Sequence, residues 1–433
     1  MTSYHSAVKF LFSRQAKGMK LGLDNVRNLL ERIGNPQDQF TSVHVAGTNG
    51  KGSTAAILES TLRQAGYGSG LFTSPHLVDM RERILVRGEQ ISEQDVLDKT
   101  QMLYPHVVAT GASFFEILTA MAFLHFVERG VDIAVLETGL GGRLDATNLV
   151  RPVLSIITEI GLDHMRILGP NLEAIAGEKA GILKPGVPCL CGAKRKAVQE
   201  HLSHWAEKKE TSITFTSDRV KVFRVRQSES GTRFDCDTGG SGYRDLSLRL
   251  LGRHQVRNAS LCLAAVDALR DAGWSISESA VRKGLEEVRW PARLDLLQNE
   301  PKILLDTAHN PMGMRMLAQT LRSIFTYRRL ILVFGVLEDK DYRAMLATIA
   351  PLADCIIFTK PVSDRALEPE QLVHLEFVQN KHTEVIPDIQ TAFDHAVSLA
   401  EKEDLVCCAG SMYFVGEILH LWETRKHACR KAG

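Results

Sequence analysis

A chain of 433 residues, 44% hydrophobic and 24% charged, has material for buried cores and length for two or three domains. Its formal net charge of +1 provides no field to draw it to nucleic acid or an anionic membrane, so neither is expected as a partner. No apolar run reaches the roughly eighteen residues of a membrane span, and the opening MTSYHSAVKFLFSRQ lacks a secretory signal's apolar stretch, so a cytoplasmic monomer is expected. Eight cysteines, at 189, 191, 236, 262, 355, 407, 408 and 429, include no CxxC pair and read as buried free thiols.

In chain order, the strand SVHVA (42–46) runs into Gly47-Thr48-Asn49-Gly50-Lys51-Gly52-Ser53-Thr54 and then a helix from about 54 to 65. Strand, glycine-rich turn, lysine, hydroxyl and helix form the layout of a phosphate-binding loop. Small residues let backbone N–H groups approach phosphate, the helix N-terminus favours anions, and Lys51 adds a mobile charge. The loop departs from G-x-x-x-x-G-K-[ST], because only two residues separate Gly47 from Gly50 and Gly52 follows the lysine. A short strand near 70–72 and a helix near 114–129 follow. On that helix Phe114 and Phe115 could wall in an aromatic ring, although their spacing alone favours a core role. The apolar strand VDIAVL (131–136) delivers Glu137 to a strand end, where a carboxylate beside a phosphate loop can reach Mg²⁺.

Strand 153–158, a helix near 171–181 and strand 187–191 come next. By themselves, His164 reads as a structural histidine and Glu178-Lys179 as a surface charge pair. Residues 212–250 alternate with turn residues and predict antiparallel strands on a sheet edge. Helices near 256–271 and 277–288 precede Trp290-Pro291, and a boundary near 290–297 divides residues 1–292 from 293–433. Alternation restarts with KILLD (302–306), helix 312–325, LILVFG (330–335), helix 341–349, CIIFT (355–359), helix 388–402 and DLVCCAG (404–410). The predicted class is α/β: a P-loop ATPase-like, mostly parallel sheet with helices, then a smaller Rossmann-like α/β domain. Asp306 closes KILLD, where a carboxylate could hold ribose or a magnesium water, and His309 could face the γ-phosphate.

GTNGKGS resembles the loop of the folylpolyglutamate and dihydrofolate synthases, relatives of the Mur ligases. The likeness continues in order through Ser74-Pro75-His76-Leu77, Ser113-Phe114-Phe115-Glu116, Glu137-Thr-Gly-Leu-Gly-Gly142-Arg143-Leu144-Asp145, and Gly161-Leu-Asp163-His164. It ends with Gly177-Glu178-Lys179-Ala-Gly-Ile, Asn258, Trp290-Pro-Ala-Arg293-Leu, Asp306-Thr-Ala-His309-Asn310-Pro311 and Gly410-Ser411-Met-Tyr413. The resemblance implies ATP held by Gly47 to Ser53 together with Asn258, Arg293 and Asp306, between two domains. It implies one magnesium at Ser74 and Glu137, and a second at His164 and Lys179, the lysine carried as a carbamate. Lys51, Lys179 and His309 are the expected catalytic groups. Leu21, Gly22 and Leu23, in the run Lys20 to Asp24, fall where the family contacts its pteridine-bearing substrate. Phe114, Phe115, Gly142, Arg143, Leu144 and Asp145 are further expected contacts.

The implied reaction is ATP-dependent. An acceptor carboxylate of dihydropteroate or a reduced folate becomes an acyl phosphate, and the amine of L-glutamate displaces phosphate. GGRLDATN looks closer to the bifunctional bacterial enzymes than to those that only extend glutamate tails. Two rivals are a Mur-type ligase of a UDP-linked substrate, disfavoured by a phosphate loop starting at residue 47, and a non-ligase nucleotide switch.

Overall fold

The computed structural model describes residues 1–15 and 22–432, with side chains described as far as residue 426. Strands β1 (Thr41–Ala46), β2 (Ser69–Phe72), β3 (Ile84–Val86), β4 (Glu89–Gln90), β5 (Ile133–Glu137), β6 (Leu154–Ile157), β7 (Cys189–Cys191) and β8 (Ile213–Phe215) share one sheet. Their spatial order is β4-β3-β2-β5-β1-β6-β7-β8. β3 pairs antiparallel with both β2 and β4, and the other pairings are parallel. β1, β2 and β5 are buried almost throughout because helices cover both sheet faces.

Alternate residues of β5 serve opposite cores. Ile133 and Val135 join the helices Lys51–Gln64, Arg253–Asp271 and Glu278–Glu287, whereas Ala134 and Leu136 meet the helix Phe114–Glu128. The helix Lys51–Gln64 is buried almost all round. Gly284 lets the neighbouring helix come so near that a Cβ there would lie 2.6 Å from the Thr61 Cα, and Ser60 Oγ donates to the Gly284 carbonyl at 2.9 Å. The helix into which the phosphate loop runs is thereby anchored in the core.

The expected antiparallel strands over 212–250 are present, but their placement on a sheet edge is corrected. Ile213–Phe215 joins the large sheet as its parallel edge. The rest forms a separate antiparallel sheet of β9 (Lys221–Ser228), β10 (Gly231–Asp237) and β11 (Gly242–Leu248), in the order β11-β10-β9. Phe234, Tyr243 and Leu246 pack its inner face onto the core around the Arg253–Asp271 helix. Alternation signals a strand, but it does not name the partner strand.

A third sheet begins with β12 (Asp295–Asn299), antiparallel to β13 (Lys302–Leu305). It continues in parallel through β14 (Leu330–Phe334), β15 (Cys355–Phe358), β16 (His382–Val385) and β17 (Leu405–Ala409), ordered β12-β13-β17-β14-β15-β16. Leu304 and Cys407 point into one core, Leu305 and Cys408 into the other. The linker enters this sheet through Ala292 and Leu294, both buried and both left-handed at φ 55° and 51°. Among the described residues no helix is long and apolar enough to cross a membrane. The seven described cysteines are free, six buried and Cys355 half-buried.

Candidate active site

The phosphate loop joins the end of β1 to the helix starting at Lys51, and close contacts fix its shape. A Cβ at Gly47 would fall 1.8 Å from Thr158 Oγ1, one at Gly50 2.5 Å from Asn258 Oδ1, and one at Gly52 2.6 Å from the Trp290 ring. Gly50 also needs its φ of 88°. Thr48 ties the loop to Gly161, donating to its carbonyl at 3.0 Å and accepting from its N–H at 3.1 Å. Thr158 Oγ1 donates to the Asn49 carbonyl at 2.9 Å. Ser53 accepts from Gln255 Nε2 at 3.2 Å, and Gln255 accepts from Asn258 at 2.9 Å.

Lys51 lies 3.8 Å from Glu137, the buried acid at the end of β5. Burial raises the Glu137 pKa, opposed chiefly by the Lys51 charge and the Ser74 N–H, which donates to Oε2 at 3.1 Å. Lys179 projects from the helix Leu172–Ala180 and donates to the Gly47 carbonyl at 2.6 Å. Burial, then the nearby Lys51 charge, push its pKa down to about 7. His164, at φ 51°, faces the same space, and burial pushes it down to about 4.

The third sheet contributes the opposite wall. Asp306 follows β13 with both oxygens engaged, Oδ1 by the Ala308 N–H at 2.8 Å and Oδ2 by the Leu294 N–H at 3.0 Å. Burial raises its pKa while Arg293 lowers it; burial likewise lowers Arg293. Asn310 caps the helix Pro311–Ser323 by accepting from Gly313 N at 2.8 Å. Its amide nitrogen also reaches Asn49 Oδ1 at 3.0 Å and Asp163 Oδ2 at 3.2 Å. His309 Nδ1 is 2.9 Å from the Thr307 carbonyl, and its Nε2 is 3.6 Å from Asp163.

A cavity of about 1140 Å³ joins these groups. Gly47 to Ser53, Ser74, Glu137, His164, Lys179, Asn258, Arg293, Asp306 and His309 all line it. Gly22, Phe114, Phe115, Arg143, Leu144 and Asp145 line it too, but Leu23 and Gly142 do not. Gly142 is needed for packing, since a Cβ would lie 2.9 Å from the Glu178 carbonyl. Leu23 packs against the core beside the helix Phe114–Glu128, and Leu21 lies outside the described residues. The Asp145 carboxylate organises its own loop, accepting from Leu140 N at 2.9 Å, Thr147 N at 3.1 Å and Thr147 Oγ1 at 2.6 Å. Arg143 pairs with Glu178 at 2.7 Å near the surface. Phe114 stacks on Phe12 with ring centroids 5.1 Å apart, and Phe115 rests against Phe72 at 5.7 Å. Both phenylalanines serve the core and the cavity wall together.

Residues 45–266 match the Mur ligase middle domain, and residues 292–412 match the Mur ligase glutamate ligase domain. A Bacillus subtilis dihydrofolate synthase/folylpolyglutamate synthase is 38% identical over 425 residues, covering 96% of this chain and 98% of that protein. The chain belongs to the dihydrofolate synthase/folylpolyglutamate synthase family. The Mycobacterium tuberculosis folylpolyglutamate synthase complexed with ADP superposes with a TM-score of 0.91 at 32% identity, covering 97% and 98% of the two chains. An Escherichia coli structure in complex with DHPP and ADP gives 0.88 at 30% identity, covering 98% and 99%. This synthase is an ATP-dependent ligase of the Mur type.

The synthase cavity also contains groups that sequence reading passed over. Arg83 is buried there, its guanidinium 5.4 Å from the Phe114 ring centre and its Nε donating to His76 Nδ1 at 2.8 Å. In sequence it stands within RERILVR, where it reads as one of several surface charges. Lys340, after β14, reaches Asp163 at 2.8 Å, and only the tertiary fold brings that pair together.

Proposed function

We propose that this synthase joins the amine of L-glutamate to a carboxylate of dihydropteroate, of a reduced folate's glutamate tail, or of both. One observation carries the reading: a single cavity is walled on one side by the phosphate loop and Glu137, on the other by Asp306 and His309, with Phe114 and Phe115 at its acceptor end. ATP would lie between units comprising residues 1–292 and 293–433, against the loop amides, Asn258, Arg293 and Asp306. Lys51 would neutralise phosphate charge, and His309 would face the transferred group. The acceptor carboxylate becomes an acyl phosphate as ADP leaves; glutamate nitrogen then forms the amide bond as phosphate departs.

Two magnesium positions suit the side chains present. Glu137 with Ser74 offers hard oxygen donors beside the loop, a set that fits Mg²⁺. His164 with Lys179 fits only if the lysine carries an anionic oxygen group. Lys179 is suited to that change, because its buried amine loses its proton near pH 7 and CO₂ adds to a neutral amine, giving a carbamate and releasing a proton. When bound, magnesium would screen phosphate charge and stabilise negative charge that develops on transfer. The buried free thiols fit a reducing cytoplasm, where the enzyme would act as a monomer.

The deciding assay supplies purified enzyme with ATP, Mg²⁺ and glutamate, and either dihydropteroate or tetrahydrofolate. ADP release should require both glutamate and an acceptor. Release independent of either compound would overturn the reading in favour of a nucleotide switch.

A further inference from the structure

Cys355 opens β15 and His382 opens β16, and the parallel register sets them opposite one another. Glu384 stands two residues beyond His382, hence on the same face of that edge strand. The Cys355 sulfur, a His382 ring nitrogen and a Glu384 oxygen all lie within 4.8 Å of one another. Glu384 Oε1 is 3.1 Å from His382 Nε2, while its Oε2 is 2.8 Å from His395 Nε2. His395 comes from the helix Ile389–Leu399, which packs over this face.

We propose that Cys355, His382 and Glu384 bind a zinc ion, with His395 bracing the outer carboxylate oxygen and water completing the tetrahedron. Thiolate, imidazole and carboxylate are zinc's donor types, and the sulfur disfavours magnesium. One thiolate and one carboxylate balance the ion's two charges while the imidazole stays neutral. Binding releases the thiol proton as the sulfur–zinc bond forms. Burial, then the Glu384 charge, otherwise hold that thiol up near 11. The guanidinium of the nearby Arg329 is committed to Asp404 at 2.6 Å. The superficially similar group of Asp95, His125 and Glu128 differs, because Lys99 already pairs with both of its acids.

The site lies where β15 and β16 begin, whereas Asp306 and Gly410 line the catalytic cavity just past the ends of β13 and β17. The ion would therefore clamp the last strand of the sheet to its neighbour, away from the phosphate loop, without taking part in ligation.

Cobalt tests this directly, because cobalt–thiolate bonds absorb strongly in the near ultraviolet. Full-length protein in magnesium buffer, titrated with Co²⁺, should take up one equivalent with that absorption, and Zn²⁺ should abolish it by displacement. Cys355→Ser should eliminate the band. His382→Ala, at an exposed position, should weaken Co²⁺ binding at least tenfold while leaving magnesium-dependent ligation unchanged. Absence of the band in the unsubstituted protein, its survival in Cys355→Ser, or unaltered affinity in His382→Ala would overturn the site.

Discussion

The ammonium of Lys340 stands 2.8 Å from the carboxylate of Asp163, so a side chain following β14 closes onto the loop that follows β6. Both groups are about nine-tenths buried. Burial alone would raise the Asp163 pKa, but the hydrogen bond and charge of His309, then the Lys340 charge, hold it well below the usual carboxylate range. Lys340→Met should lower unfolding free energy by about 3 kcal/mol, the usual cost of breaking a buried pair. A depressed carboxylate contributes stability above its unfolded value near 4 and loses it as pH falls toward the lower folded value. The variant's deficit should therefore hold from about pH 5 to 7 and shrink below about pH 4. Chemical denaturation at each pH provides the measurement, and a pH-independent difference would remove the ion pair as its cause.

Lys51 is nearly buried yet belongs to the cavity rather than an apolar core. Lys51→Ala should reduce turnover about hundredfold or more, the scale of losing one preorganised group facing transition-state charge. Circular dichroism should be unchanged. A near-normal rate of ADP release would refute the phosphate-loop role.

How much of this was legible follows the sequence distance of each feature. The phosphate loop, Glu137 and the restart of strand–helix alternation at KILLD are local patterns, and β1, β5 and β13 fall where the sequence puts them. The helix Glu93–Thr110 was hidden by Pro105 in its interior, and β16 by the polar run HTEV at a sheet edge. Asn49 meets Asn310 across 261 positions, a relationship no local spacing encodes. The same holds for Asp145: its motif is readable, but only the folded loop brings its oxygens to Leu140 and Thr147.

Asp306 holds the linker through its two hydrogen bonds, and substitution separates that packing role from the proposed contact with ATP. Asp306→Ala leaves the Leu294 and Ala308 N–H groups without their carboxylate partner at a left-handed linker, so it should cost stability, about 1–3 kcal/mol for each buried N–H left unsatisfied. Asp306→Asn keeps one acceptor oxygen and turns its NH2 toward the other N–H, so it should lose about half as much stability as Asp306→Ala, yet raise KM for ATP in the folded enzyme. Arg293→Ala should raise the same constant. Matched loss of stability and of ATP use in Asp306→Asn would assign the residue to folding alone, and residues 1–289 forming amide as fast as the full chain would exclude the interdomain site.

Lys179 offers the sharpest chemical test. Its pKa near 7 means that half of the amine is neutral at that pH, with the neutral share rising as pH rises. Carbamate formation consumes the neutral form and releases a proton, so occupancy at fixed CO₂ should climb from pH 6 to 8. Carbon-13 bicarbonate should give a carbamate resonance that disappears in Lys179→Ala. Activity of protein stripped of CO₂ should return on adding bicarbonate, and short carboxylic acids should partly restore Lys179→Ala by replacing the missing oxygens. The rival arrangement is a plain ammonium touching phosphate, which predicts loss of activity in Lys179→Ala but no response to bicarbonate or to added acids. Full activity with no labelled resonance, in magnesium-loaded enzyme, would establish the ammonium and leave the ligase assignment standing.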